Sequence, residues 1–189
     1  KVYVFHGGSG GVTGTAAAPA WSVAGEAVNN YLGNSVASAG DVNGDGYTDL
    51  IVGAYGYNTE QGKVYVFHGG PSGITGLITG PAWSAVGEAG GNRFGYTVSG
   101  AGDINGDGYA DVVAAAIWYT SNQGKVYVFQ GSAGGVTGTT AAPVWSATGE
   151  AGDNFLGYAV AGAGDVNGDG YADLVVGAYG YNGNMGKVY

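Results

Sequence analysis

The chain repeats itself every 62 residues without a gap. The string Lys-Val-Tyr-Val-Phe begins at Lys1, Lys63 and Lys125, and its first three residues return at Lys187. Trp21, Trp83 and Trp145 share one register position, as do Pro19, Pro81 and Pro143, and Glu26, Glu88 and Glu150. A fixed period makes the unit the thing to be folded, because each copy must bury its apolar face against its neighbours. Units 1–62, 63–124 and 125–186, with the start of a fourth at 187–189, are therefore expected to form one repeat domain over 1–189.

Each unit reads as four short strands. Lys63–Gly69 alternates and is rich in β-branched and aromatic residues. Pro81–Gly87 follows a turn region of Gly, Ser and Thr. Gly95–Asp103 runs into a tight loop, and Asp111–Trp118 leads out of it. No segment has a capped 3.6-residue apolar period, which largely excludes helix. Forty-two glycines supply many tight turns, and a 13% aromatic content supplies a core that disordered glycine-rich chains lack. A β-solenoid coil takes roughly 20–30 residues, so the period is too long for one. The fold expected is all-β, built of four-stranded antiparallel propeller blades rather than a sandwich.

Three nine-residue segments stand in register: DVNGDGYTD at 41–49, DINGDGYAD at 103–111 and DVNGDGYAD at 165–173. Acidic or amide side chains occupy positions 1, 3, 5 and 9, and glycine occupies 4 and 6. Calcium takes about six to eight oxygens, which short Asp and Asn side chains provide from a curled loop, and the position-7 carbonyl can add one more. An EF-hand needs Glu at position 12, where this chain has Val52, Ala114 or Val176. Asn-Gly and Asp-Gly also mark plain hairpin turns. A plain turn has no need of three mutually repelling carboxylates, yet three per loop account for nine of the fourteen acidic residues. Magnesium prefers a near-ideal octahedron with several waters, and zinc wants His or Cys, so calcium is the expected ion, one per loop and three in all.

The loop, together with Leu32-Gly33, Phe94-Gly95 and Leu156-Gly157 before it and Gly53-Ala54-Tyr55 and Gly177-Ala178-Tyr179 after it, resembles the FG-GAP repeat. That repeat builds the seven-bladed propeller of integrin α-subunits and of many bacterial secreted proteins. Carried over by position, the resemblance implies as ligands Asp41, Asn43, Asp45, Tyr47 and Asp49; Asp103, Asn105, Asp107, Tyr109 and Asp111; and Asp165, Asn167, Asp169, Tyr171 and Asp173. The GAP element departs from the pattern: tyrosine replaces its proline in two copies, and the middle copy reads Ala115-Ala116-Ile117, which leaves the local turn open. The resemblance implies an extracellular location. Weak calcium sites, with Kd of about 10⁻⁴–10⁻³ M, agree, because they would stay mostly empty in cytosol.

By the family's strand order the chain opens on the third strand of a blade and stops in the same strand. Two full blades flanked by two half-blades are expected. Such edges template pairing, either with the rest of a longer propeller or with other copies joined head to tail in a ring or a filament. The returning Lys-Val-Tyr favours the longer parent. The chain begins without Met or a signal peptide, so a mature, trimmed or partial product is expected.

Composition removes other classes. The formal net charge is −9 with only five basic residues, which argues against nucleic acid. No apolar run approaches the roughly 20 residues that cross a bilayer. The absence of cysteine excludes disulfides and thiol chemistry. No nucleophile–base pair stands out, and threefold-repeated residues seldom supply the asymmetry that catalysis needs, so a non-enzyme is expected. Glu26, Glu88 and Glu150 read as turn-fixing hydrogen-bond partners, and the three register tryptophans as packing between blades. His6 and His68 align with Gln130, a polar strand position. Positions that break the repeat are the candidates for a partner: Arg93, the only arginine, and Trp118, the only tryptophan outside the register, with Tyr119 nearby as a third candidate. In a four-stranded meander Arg93 falls in a 4–1 loop and Trp118 in the 2–3 loop of the same blade, on the face opposite the acidic loops. The expectation is an adhesion or scaffold module. A glycan-binding propeller and an accessory domain of a larger secreted hydrolase are the alternatives.

Overall fold

Alternating, β-branched segments joined by glycine-rich turns pair in the order they are made, so each unit becomes an antiparallel meander. The computed structural model describes residues 1–189. Its strands are β1 (Val2–Val4), β2 (Gly7–Gly8), β3 (Gly11–Val12), β4 (Trp21–Val23), β5 (Ser35–Gly40), β6 (Asp49–Ala54), β7 (Lys63–Phe67) and β8 (Trp83–Val86). They continue as β9 (Phe94–Gly102), β10 (Asp111–Ala116), β11 (Lys125–Phe129), β12 (Trp145–Thr148), β13 (Leu156–Gly164), β14 (Asp173–Ala178) and β15 (Lys187–Val188).

Strands β5-β6-β7-β8 and β9-β10-β11-β12 form two complete four-stranded sheets. Before them β1 pairs with β4, and after them lies a sheet of β13-β14-β15; β2 and β3 make a small separate ribbon. This is the expected pair of full blades between partial ones, and the sheets do not close on themselves. The first strands of successive blades lie side by side, β5 by β9 and β9 by β13. Gly100 permits that approach: a Cβ there would stand 2.7 Å from the carbonyl oxygen of Ser38.

The core lies between blades. Val64, Val66 and Ile51 of one sheet meet Phe94, Val112, Tyr127 and Phe129 of the next in the largest cluster. Val113, Val126 and Val128 meet Leu156, Val176 and Ala178 in another. Burying each such side chain contributes about 1.5–3 kcal/mol, so a blade is stable only beside a second one. The register tryptophans complete these interfaces. Trp83 lies 4.9 Å from the Phe129 ring, and its Nε1–H donates to the Gly138 carbonyl at 3.2 Å. Trp21 repeats this with Phe67 and Gly76. Trp145 has no such partner, is 47% exposed, and lines an open apolar cleft of about 410 Å³.

Contrary to the expectation that helix is largely excluded, four-residue helical turns occur at Tyr57–Glu60, Tyr119–Asn122 and Tyr181–Asn184, between the second and third strands. They are not ordinary right-handed turns, since Asn58 and Thr59 have φ of 46° and 58°, and Thr120 and Ser121 have 40° and 55°. A single turn is too short to display a 3.6-residue period. The middle copy, with Ala115-Ala116-Ile117, makes the same turn as the other two. Strand ends also shift: Asp111–Trp118 stops pairing at Ala116, and Pro81–Gly87 contracts to β8, Pro81 having no N–H to donate. No helix is long and apolar enough to cross a membrane.

Candidate metal centres

Each acidic loop joins the first and second strands of its blade. Asp41 ends β5's run, and its Oδ1 accepts from the N–H of Gly44 at 2.7 Å and of Asp45 at 3.1 Å. Its Oδ2 accepts from Gly46 N–H at 2.8 Å. Asn43 Oδ1 accepts from Asp45 N–H at 3.1 Å while its Nδ2 donates to Asp45 Oδ2 at 2.9 Å. Asp45 Oδ1 accepts from Tyr47 N–H at 2.9 Å. The curl depends on left-handed backbone at Gly44 and Gly46, with φ of 74° and 87°. The loops at 103–111 and 165–173 reproduce the whole set.

Position 9 ties the loop to the blade. Asp49 opens β6, is buried, and accepts from Val42 N–H at 2.9 Å and from Gly69 N–H at 2.7 Å. Asp111, also buried, does the same with Ile104 and Gly131. Asp173 accepts from Val166 alone.

The electrostatics favour a cation. Burial pushes the Asp111 carboxyl above its ordinary value even though Gly131 and Ile104 donate to it, and the charges of Asp107 and Asp103 push the same way. A positive ion among these groups would reverse that repulsion. Asp45 is held low by the Asn43 amide and the Tyr47 N–H, and Asp165 chiefly by the Gly170 N–H. No three carboxylate or imidazole groups converge closely enough to hold an ion by themselves. The amide oxygen of Asn43 and the carbonyl of Tyr47 are needed alongside them. Every donor is then a hard oxygen; the Oδ1 atoms of Asp41, Asp103 and Asp165 each accept two N–H groups, while the carboxylate oxygens that accept one keep a second lone pair. The set fits calcium.

This hairpin loop, repeated in register between the first two strands of each blade, decides the family. The FG-GAP repeat model matches residues 32–67, and the FG-GAP-like repeat model matches residues 103–176. The chain belongs to the FG-GAP repeat family. Over 165 residues, 82% of its length, this FG-GAP chain is 40% identical to mouse (Mus musculus) integrin alpha-IIb, the match taking in 16% of that protein. To human integrin alpha-IIb it is 38% identical over 171 residues, 84% of the chain and 16% of the relative. To Xenopus laevis integrin alpha-5 it is 32% identical over 179 residues, 89% of the chain and 17% of the relative. The FG-GAP chain thus spans about a sixth of the length of the curated relatives it matches.

On the opposite face the structure brings together the two repeat-breaking residues, Arg93 and Trp118. The Arg93 guanidinium lies 3.3 Å over the Trp118 ring and 5.3 Å from that of Tyr55. It also forms a two-pronged ion pair with Glu60, at 2.9 and 3.0 Å. Tyr119 does not join them. It opens the helical turn, packs against the core and sits under Lys125 Nζ at 4.9 Å, as Tyr57 and Tyr181 do with Lys63 and Lys187.

Three features were not legible in the sequence. Tyr31, Tyr55, Tyr96, Tyr158 and Tyr179 form one continuous row across the blades, with successive centroids 4.9, 5.5, 5.8 and 4.5 Å apart. The register glutamates clamp blades rather than single turns: Glu26 accepts from Lys63 Nζ at 2.7 Å and from Tyr65 OH at 2.8 Å, both in the following blade. Glu88 with Lys125 and Tyr127, and Glu150 with Lys187 and Tyr189, repeat the clamp. His68 packs against Gly135 of the next unit, its Nε2 buried without a partner. The recurring 37-residue interval from Glu26 to Lys63 was the available signal for the clamp.

Proposed function

We propose that this chain is part of an extracellular adhesion or scaffold propeller whose hairpins are rigidified by calcium, one ion in each of the loops 41–49, 103–111 and 165–173. The observation that carries the reading is the threefold all-oxygen donor set, with position 9 anchored in a strand. Asp41, Asn43, Asp45, Asp49 and the Tyr47 carbonyl would hold the first ion, and their counterparts the others. The ion supplies positive charge that lets the carboxylates stay ionised side by side. Three ions would offset six of the nine excess negative charges. Membership of a family that includes integrin α relatives supports adhesion as the setting, with the rest of a longer propeller, or further copies of the chain, meeting the open blade edges.

Calorimetry in millimolar calcium tests the metal reading: three sites per chain are expected, together with a melting temperature that falls in EGTA. No heat of binding and an EGTA-indifferent melt would end it. Pull-down of cell-surface protein on the immobilised chain tests adhesion, and capture that ignores chelator would remove calcium from the mechanism.

A second reading, a carbohydrate-binding propeller, is favoured by the tyrosine row, because sugar rings stack on exposed aromatic faces. Tyr31, Tyr158 and Tyr179 are 52%, 44% and 47% exposed. A glycan array in calcium with no bound sugar would discard it.

A further inference from the structure

The three loops touch one another in a fixed direction. The ring of Tyr109, position 7 of the middle loop, lies on the backbone of Gly44, position 4 of the loop before it: a Cβ on Gly44 would stand 2.7 Å from Tyr109 Cε1. Tyr171 sits on Gly106 in the same way, again at 2.7 Å. The backbone repeats the grip. Ala110 N–H donates to the Asp41 carbonyl at 3.0 Å, and Ala172 N–H to the Asp103 carbonyl at 3.0 Å. Beneath them the methyl groups of Ala110 and Ala172 press on Gly40 and Gly102. Gly168 of the third loop and Gly164, which ends β13 before it, face open space.

We propose that Tyr109 and Tyr171 are positioning residues for the cation site of the preceding loop, so that calcium uptake is cooperative between neighbouring loops. The inference rests on the reading of these loops as calcium sites. Gly44 N–H donates to Oδ1 of Asp41, a candidate ligand residue, and the Tyr109 ring packs on that glycine. The ring holds residues 43–45 curled before an ion arrives. A cation held through the Tyr109 carbonyl orders the residue whose ring does the covering, so part of the ordering cost at 41–49 has already been met. Coupling of this kind is reciprocal: an ion at 41–49 must favour one at 103–111 by the same factor. The loop at 165–173, with Gly168 uncovered, is then the weakest of the three in this chain.

Gly46, Gly108 and Gly170 each donate an N–H to the first carboxylate of their own loop, so their amide resonances report each loop separately during a calcium titration. Tyr109→Ala is expected to move the Gly46 midpoint about tenfold towards higher calcium, the scale typical of losing a supporting group around a metal, and to leave Gly170 in place. Tyr109→Phe, which keeps the ring, is expected to restore the wild-type midpoint. Tyr171→Ala, at a 48% exposed residue, is expected to shift Gly108 instead, and it provides the test should Tyr109→Ala fold poorly. Shifts confined to a variant's own loop, equal shifts in all three loops, or no shift would overturn the coupling while leaving calcium binding intact. Wild-type amides that ignore calcium would overturn the calcium reading itself.

Discussion

The two faces of the blades use left-handed backbone in opposite ways. On the face of the acidic loops every residue with positive φ is glycine, as at Gly44, Gly46, Gly106 and Gly108. On the opposite face lie all thirteen non-glycine residues with positive φ, among them Tyr31, Arg93, Phe155, Thr120 and Ser121. The acidic loops must turn N–H groups inward onto carboxylates and let a neighbour's ring approach, and a bare Cα does both without steric conflict. The other face carries side chains where each left-handed residue costs about 1–2 kcal/mol. Hydrogen bonds between successive blades hold it there: Arg93 N–H to the Glu60 carbonyl at 2.8 Å, Phe155 N–H to Asn122 at 2.8 Å and Asp153 N–H to Ser121 at 3.0 Å. One face is conformationally relaxed and electrostatically strained; the other is the reverse. Strain kept at such cost concentrates where side chains are used.

That contrast can be broken at several points. The largest effect belongs to the ions themselves. At tenfold excess over Kd each is expected to stabilise the chain by about 1.4 kcal/mol, roughly 4 kcal/mol for three, read as the difference in urea midpoint with and without EGTA. Arg93→Ala, on the other face, is expected to leave that difference unchanged. In EGTA, Asp111→Ala leaves the Ile104 and Gly131 N–H groups unpaired and is expected to destabilise by about 2–3 kcal/mol, against about 1 kcal/mol for Asp173→Ala, which frees only Val166. Equal losses would mean that burial does not separate the two sites.

Substitutions at positive φ are expected to change sign between faces. Gly108→Ala, at φ 89° with nothing near a new Cβ, tests strain alone and is expected to lose roughly 1–2 kcal/mol. Thr120→Gly, at φ 40°, is expected to be neutral or to gain up to about 1 kcal/mol, relief of strain being partly offset by glycine's chain entropy. Thermal melts of the pair decide it. Arg93→Ala, which removes the Glu60 pair and the Trp118 contact, is expected to lose about 1 kcal/mol, as partly exposed ion pairs and cation–π contacts do.

The smallest effect is acid sensitivity of the clamps. Burial alone would raise the Glu26 carboxyl, but the hydrogen bonds from Lys63 and Tyr65 outweigh it and hold it below its ordinary value of 4.5. A depressed carboxyl stabilises the fold above that ordinary value, and the contribution fades as pH falls through the lower folded value. Wild type and Glu26→Gln, compared in EGTA, should therefore differ by less than about 1 kcal/mol near neutrality and converge in acid. A gap that widened in acid would contradict the clamp.

Much of this was readable from residue order, and what escaped shares a cause. The strand at Lys63–Phe67 and the loop at 103–111 rest on contacts within one unit, between residues close in sequence. Period-two alternation and the Asp-x-Asn-Gly-Asp-Gly spacing suffice for those. Glu26 is legible in the sequence as a hydrogen-bonding residue that fixes a turn, but its partners Lys63 and Tyr65 belong to the next blade. Arg93 and Trp118 were placed on one face, but the meander pattern could not say that they stack or that Glu60 neutralises the arginine. The helical turn at Tyr119–Asn122 was missed because its backbone is held by the following blade and not by its own propensity. Local chemistry along the chain, copied at a constant interval, was enough to specify the strands, their meander and the oxygen-rich hairpin tips. The angle and distance between one sheet and the next selected everything else: Trp83 against Phe129, the tyrosine row, and the ring of Tyr109 on Gly44. Those contacts depend on how whole blades stack, and stacking follows from the summed packing of many side chains that no short stretch of sequence contains.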